Sequence, residues 1–80
     1  MTTVEEYRDR RNLLASIRAE LRKRRASYML AEMPDGRWYI YDSDLGRQAV
    51  QPHDGTLYEL WEEVRDDTFQ RPLVILEVSQ

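Results

Sequence analysis

The feature that most limits the fold of this chain is a turn signal between two apolar runs. Pro34-Asp35-Gly36 separates residues 27–33 from residues 37–41, and both runs are rich in aromatic and aliphatic side chains. Such a pattern predicts a β-hairpin whose type I turn closes on a left-handed glycine. We therefore predict two antiparallel strands in this part of the chain.

The register of this hairpin sorts its side chains into two faces. With a three-residue loop, Leu30 lies opposite Ile40. Alternation then gives Tyr28, Leu30, Glu32, Trp38 and Ile40 on one face, and Met29, Ala31, Met33, Tyr39 and Tyr41 on the other. Neither set is plainly polar, so we expect one face to be either a partner site or part of a second layer of core.

Residues 3–25 precede the hairpin and have the period of one amphipathic helix. A capping box begins the helix in either of two registers, Thr2 with Glu5 or Thr3 with Glu6. The apolar positions occupy one half of the helical wheel: Val4, Tyr7, Leu13, Leu14, Ile17 and Leu21. We predict that this half is buried.

A narrow arc of the same helix carries four arginines: Arg8, Arg11, Arg18 and Arg22. One interpretation of the basic residues on this helix is structural. Cations near a helix C-terminus complement its dipole, and two acid–base pairs, Glu6 with Arg10 and Glu20 with Arg24, have i,i+4 spacing. The other interpretation is contact with nucleic acid or with an acidic partner. The sequence leaves both open.

A second helix is predicted to begin after Thr56, which forms a capping box with Glu59. Its apolar positions recur at helical spacing: Leu57, Leu60, Trp61 and Val64. Trp61 lies in the middle of this stripe, so Trp61→Ala should cost about 3–5 kcal/mol if the tryptophan is buried, whereas a much smaller loss would indicate an exposed side chain in an interface.

Two further strands are predicted around the second helix. Residues 47–51 have the pattern of a short edge strand that Pro52 ends, because proline cannot donate to a ladder. Residues 73–78 are apolar on both alternations, which predicts a central strand covered on both faces. If the second helix joins parallel strands, the connection should be a right-handed crossover.

The pattern as a whole predicts a single α+β domain over residues 1–80. The expected order is α-β-β-(β)-α-β, with two helices packed on a small mixed sheet.

The composition of the chain indicates in which cellular compartment it belongs and which covalent and metal chemistry it lacks. The chain has no cysteine, which excludes disulfides and thiolate metal sites and fits a reducing compartment. Acidic residues stand near the N-terminus where a signal peptide needs basic ones, and no apolar stretch approaches the length of a membrane span. We therefore expect a cytoplasmic protein that does not contact membranes, in the host cell cytoplasm if it is phage-encoded.

No residue pattern predicts catalysis, a cofactor or a metal. The segment 42–46 has the acidic spacing of a calcium loop, but Gly46 stands where a third ligand belongs and His53 replaces the closing glutamate. His53 beside Asp54 has the composition of an oriented base, yet no nucleophile is placed for it. We expect no enzyme activity.

Positive charge is concentrated at the start of the chain and negative charge in the rest of it. Residues 1–25 carry a net charge of +4 and residues 26–80 a net charge of −7, which together give −3. Carboxylates gather in the second part, and we take them as candidate partner-binding residues: Asp42, Asp44, Asp54, Glu59, Glu62, Glu63, Asp66 and Asp67. The expected partner is a basic protein surface. Direct binding to nucleic acid is not expected, because an acidic domain is repelled by phosphate unless its basic face is well isolated.

As a whole, this small, acidic, cysteine-free α+β chain with aligned carboxylates resembles the phage-encoded anti-CRISPR inhibitor proteins. The resemblance covers the format of the chain and involves no diagnostic motif. It implies a stoichiometric, non-enzymatic inhibitor without a cofactor, whose acidic surface blocks the DNA-binding region of a CRISPR effector complex. The alternative function is a small nucleic-acid-binding or regulatory protein that uses the basic first helix.

Overall fold

Within residues 4–75, two helices and four strands follow one another in the order α-β-β-β-α-β, which confirms the predicted α+β class. The computed structural model describes residues 4–75, with side chains from Arg8 onward. The elements are α1 (Val4–Arg24), β1 (Tyr28–Glu32), β2 (Trp38–Asp42), β3 (Gln48–Ala49), α2 (Leu57–Arg65) and β4 (Leu73–Val74). The predicted capping box at Thr2 or Thr3 lies outside the described residues.

Strands β1 and β2 form the predicted hairpin. They are antiparallel, and Leu30 pairs with Ile40 as expected. Gly36 has a φ of 92°, and its N–H donates to the carbonyl oxygen of Met33 at 2.9 Å. The N–H of Met33 in turn donates to the carbonyl oxygen of Arg37 at 2.7 Å, which closes the loop. Glycine is needed here because side chains are disfavoured at this φ.

The strands form two separate antiparallel sheets instead of one mixed sheet. β1 pairs with β2, and β3 pairs with β4. Among the described residues, one isolated backbone bridge forms on the free edge of β2, where the N–H of His53 donates to the carbonyl oxygen of Trp38 at 2.7 Å. Pro52 precedes that bridge and has no N–H to extend it. The described residues therefore contain no pair of parallel strands for α2 to connect.

β4 differs from the covered central strand that the sequence predicts. Leu73, Val74 and Ile75 are 56%, 40% and 42% exposed, and β4 has only the two residues of β3 as its partner. An apolar run without polar alternation shows that a strand is hydrophobic, but it does not show that other elements have surface left to cover it. Residues 76–78 of the predicted strand lie outside the described part.

The core lies between the two helices and the hairpin. Its buried side chains are Ile17, Leu21, Leu30, Ile40, Leu60, Val64 and Phe69. Trp61 is only half-buried and packs against this core without belonging to its buried set, so the condition of full burial is not met. The two residues that α2 buries are Leu60 and Val64. On the hairpin, the face with Leu30 and Ile40 is the one that meets the helices.

Candidate functional site

The arginines of α1 fall into two groups, those with partners and those without. Arg10 belongs to the first group. Its Nη2 lies 3.3 Å from Oε2 of Glu32, and its guanidinium carbon lies 5.8 Å from the centre of the Trp38 ring. The Glu6 partner that the sequence offers has no described side chain. Arg10 therefore connects α1 to the hairpin.

Arg24 fixes the end of α1 to the end of α2. Its Nε donates to Oδ1 of Asp67 at 2.8 Å, its Nη2 to the carbonyl oxygen of Arg65 at 3.3 Å, and its Nη1 to Glu20. The i,i+4 contact between Glu20 and Arg24 confirms the predicted pair. The hydrogen bond to Asp67 raises the pKa of Arg24, and desolvation opposes that rise only in part. Arg24 thus satisfies a backbone carbonyl at the C-terminus of α2.

Arg25 pairs with a buried carboxylate. Its Nε lies 2.7 Å from Oδ2 of Asp42, whose side chain is 1% exposed. Desolvation raises the pKa of Asp42, but a hydrogen bond from Ser27, the N–H of Asp44 and the charge of Arg25 outweigh it and lower the pKa overall. The backbone of Asp42 also exchanges hydrogen bonds with the side-chain amide of Gln48. Asp42 is therefore a structural residue and not part of an exposed acidic surface.

The second group forms what we call the basic face of α1: Arg8, Arg11, Arg18 and Arg22. All four are exposed, and none of them forms an ion pair with any described residue. On an ideal helix they lie within an arc of about 80° and extend over about 21 Å along the axis. No carboxylate of α1 with a described side chain falls on this arc. Asp9 points to the far side of the helix and Glu20 binds Lys23 and Arg24.

Three carboxylates of α2 and the one at its C-terminal cap form what we call the acidic face: Glu59, Glu62, Glu63 and Asp66. Glu59 and Asp66 are exposed, and Glu62 and Glu63 are half-buried. Most of them have partners within the chain. Glu59 takes part in the N-terminal cap with Thr56, whose hydroxyl accepts from the N–H of Glu59 at 3.1 Å. Asp66 lies 3.1 Å from Nε of Arg65, and this contact raises the pKa of Arg65.

The remaining predicted carboxylates are dispersed. Asp67 has a φ of 63° and binds both Arg71, at 2.6 Å, and Arg24, and these two hydrogen bonds lower its pKa. Asp54 is highly exposed and lies 3.1 Å from Nη1 of Arg37. Asp44 is exposed and outside α2. The structure therefore brings together the acidic face, with Asp54 at the loop before it, but Asp42 and Asp67 have structural roles.

His53 has a different partner from the one suggested by the sequence. Its Nδ1 lies 3.3 Å from Oε2 of Glu63, so the adjacent Asp54 does not orient it. Nε2 of His53 is buried and has no hydrogen-bond partner. Within residues 4–75 no cluster of three or more histidine or acidic side chains is placed to hold a metal ion. None of the described helices is long and apolar enough to cross a membrane.

Sequence reasoning missed the connection between Arg24, Asp67 and Arg71. The two acidic residues at the end of α2 are unfavourable for the helix dipole, and that conflict is the local signal of a tertiary partner. The partner itself lies 43 positions away in the chain and leaves no local pattern.

Comparisons with known proteins found no relative. No family model, curated protein or solved structure matches this chain. The functional argument therefore depends on the chain's own surface.

Proposed function

We propose that this protein is a non-enzymatic DNA-binding protein that docks the basic face of α1 on the phosphate backbone of duplex DNA. One observation carries the proposal. The other three cations of α1 are Arg10, Lys23 and Arg24, and each of them pairs with a carboxylate of the chain, as does Arg25 directly after the helix. The four arginines of the basic face lie together on one exposed face without a described partner. Free guanidinium groups aligned on one helix are the electrostatic footprint of phosphate binding.

The shape of α1 fits duplex DNA in its B form. The major groove is about 12 Å wide and admits an α-helix. A row of arginines about 21 Å long reaches phosphates on both sides of such a groove. Arginine presents a planar fork of donors that matches phosphate oxygens, so each of the four residues can hold one phosphate. The proposal concerns phosphate contacts and assigns no preferred base sequence.

The net charge of −3 does not prevent this contact, because the charges are separated in space. The exposed carboxylates lie mainly on α2 and in the loops, where Arg37 and Arg65 offset some of them. From Arg8 onward, the charged side chains on the face of α1 that approaches DNA are all positive. Dissociation constants of about 10⁻⁴ to 10⁻⁶ M are typical of such non-specific contacts at physiological salt.

The test is fluorescence anisotropy with a labelled duplex of about two helical turns. We expect wild-type protein to bind in 50 mM salt. The double variant Arg18→Gln/Arg22→Gln should bind at least about tenfold more weakly, because two phosphate contacts are lost. The matched control is Lys23→Gln/Arg65→Gln, which has the same net charge but removes two cations that already have carboxylate partners. Equal weakening by both variants, or no binding by the wild type, would contradict the proposal.

A second candidate is the anti-CRISPR-like inhibitor that binds a basic protein surface. The observation in its favour is that the acidic face places the half-buried Glu62 and the exposed Asp66 beside Tyr58, which is 58% exposed. Tyrosine is enriched in protein interfaces, and an acidic face can be steered onto a cationic groove.

This candidate is tested by charge reversal. Glu62→Lys/Asp66→Lys should abolish inhibition of target-DNA binding by a CRISPR effector complex, whereas the control Asp9→Lys/Asp44→Lys should retain it. Glu63 is left unchanged because it holds His53. Absence of inhibition by the wild type would reject the anti-CRISPR role without affecting the DNA-binding proposal.

A further inference from the structure

Three uncharged residues lie on the outermost side of α1, beside the basic face. The core side of the helix is marked by the fully buried Ile17 and Leu21. On an ideal helix, Asn12, Ala15 and Ala19 lie within about 40° of the opposite direction. All three are exposed. A helix that places the basic face against DNA phosphates therefore turns these uncharged side chains toward the groove.

Asn12 is an unfavourable residue for its position in the interior of α1. Asparagine is a poorer helix former than alanine, because its side chain competes for backbone hydrogen bonds. The side chain of Asn12 is exposed and forms no hydrogen bond with any described residue. No contact in the described part of the chain compensates for this choice. A local conflict without a structural gain is the kind of exception that functional positions show.

The free carboxamide of Asn12 matches one base in particular. It offers two N–H donors and a carbonyl acceptor at its tip. In the major groove, adenine presents its N7 as an acceptor beside its N6 amino group as a donor, and an asparagine side chain hydrogen-bonds to both at once. The methyl group of thymine lies in the same groove and contacts alanine side chains.

We propose that Asn12 recognises an adenine in the major groove, so that α1 prefers duplexes with an A·T pair at that position. The inference rests on the proposed docking of the basic face on DNA and adds a base preference to its phosphate contacts. The carboxamide of Asn12 donates to N7 of the adenine and accepts from its N6 amino group. Ala15 and Ala19 follow within about 10 Å along the helix axis, which corresponds to about three base pairs, and their methyl groups contact thymine methyl groups there.

The first experiment selects DNA from a pool of duplexes whose central base pairs are randomised. Wild-type protein binds the pool in 50 mM KCl, and the retained DNA is sequenced. We expect enrichment of A·T at one fixed position, and about tenfold weaker binding when that pair is replaced by G·C. Asn12→Ala should lose the enrichment but still bind the pool, with the salt dependence of the wild type. Gln51→Ala, which removes an exposed amide outside α1, should keep the enrichment.

A second experiment separates direct contact from recognition of DNA shape. In the selected duplex, the adenine is replaced by 7-deazaadenine, which pairs with thymine but lacks the N7 acceptor. Wild-type binding should weaken, because one of the two hydrogen bonds of Asn12 is lost. Binding by Asn12→Ala should not change, because that variant makes neither bond.

The outcomes distinguish this inference from the proposal on which it rests. If wild-type protein binds no duplex, both are refuted. If it binds the pool without enrichment, or if Asn12→Ala keeps the enrichment, base recognition by Asn12 is refuted and phosphate binding by the basic face stands. Equal weakening of both proteins by 7-deazaadenine would also refute the contact with Asn12.

Discussion

Arg22 and Arg24 are two positions apart in the last turn of α1, yet only Arg24 is bound within the chain. Nε of Arg24 donates to Oδ1 of Asp67 at 2.8 Å, whereas the exposed side chain of Arg22 has no ion-pair partner among the described residues. Both are good helix residues, and both complement the helix dipole. The difference lies in tertiary contact, and it separates the cations that stabilise the fold from those that remain for a partner.

The contact between Arg24 and Asp67 predicts how substitutions at Asp67 rank. Asp67→Ala removes the carboxylate that binds Arg24 and Arg71 and also places a side chain without polar atoms at a φ of 63°. Asp67→Gly loses the same ion pairs, but glycine adopts this φ freely. Urea denaturation should therefore rank the wild type as most stable, then Asp67→Gly, then Asp67→Ala. A glycine variant less stable than the alanine variant would contradict this explanation.

The N-terminal cap of α2 gives a second prediction. The hydroxyl of Thr56 accepts a hydrogen bond from the N–H of Glu59 at 3.1 Å, as the predicted capping box requires. Thr56→Ala should lower the free energy of unfolding by about 1 kcal/mol, whereas Thr56→Ser should keep most of it. Thermal denaturation followed by circular dichroism measures both. Equal losses in the two variants would mean that the hydroxyl does not act as the cap.

Leu60 and Trp61 are neighbours in α2 but differ in burial, so their replacement by alanine should cost different amounts of stability. Leu60 is 3% exposed, so Leu60→Ala should cost about 2–5 kcal/mol, a large part of the stability of a domain of this size. Trp61 is only half-buried at the side of the core, and Trp61→Ala should cost less despite the larger side chain removed. Comparison of the two denaturation midpoints tests the packing. A larger loss for Trp61→Ala would place the tryptophan in the core after all.

Acid should destabilise the protein in a defined range. The hydrogen bonds from Arg71 and Arg24 lower the pKa of Asp67 from its ordinary 3.8, so the unfolded chain binds a proton before the folded one does. The stability that this group contributes is complete well above pH 4 and is lost as the pH falls through its lowered pKa. Melting temperatures at pH 7, 4 and 3 should fall more steeply for the wild type than for Asp67→Asn. Parallel declines would show that Asp67 is not one of the groups responsible.

The elements that the sequence predicts correctly are those encoded locally. The hairpin depends on Gly36 and its neighbours, and the capping box depends on Thr56 and Glu59, so a few adjacent residues determine each of them. The pair between Glu20 and Arg24 follows from helical spacing alone. The sheet arrangement was not predictable in the same way, because pairing of β3 with β4 joins residues more than 20 positions apart.

The candidate surface was predictable only in part. Helical spacing places Arg8, Arg11, Arg18 and Arg22 on one arc and the acidic residues of α2 on another. It cannot show which charges find partners elsewhere in the chain. Asp42 was expected on the surface, and the structure buries it against Arg25.

The most direct test of the DNA-binding proposal is the salt dependence of binding between 50 and 200 mM KCl. If four arginines each neutralise one phosphate, the logarithm of the association constant should fall with the logarithm of salt concentration with a slope of about −3.6. Arg18→Gln/Arg22→Gln should halve that slope to about −1.8. A slope near zero for the wild type, or the same slope in the double variant, would contradict the claim that the basic face of α1 holds DNA.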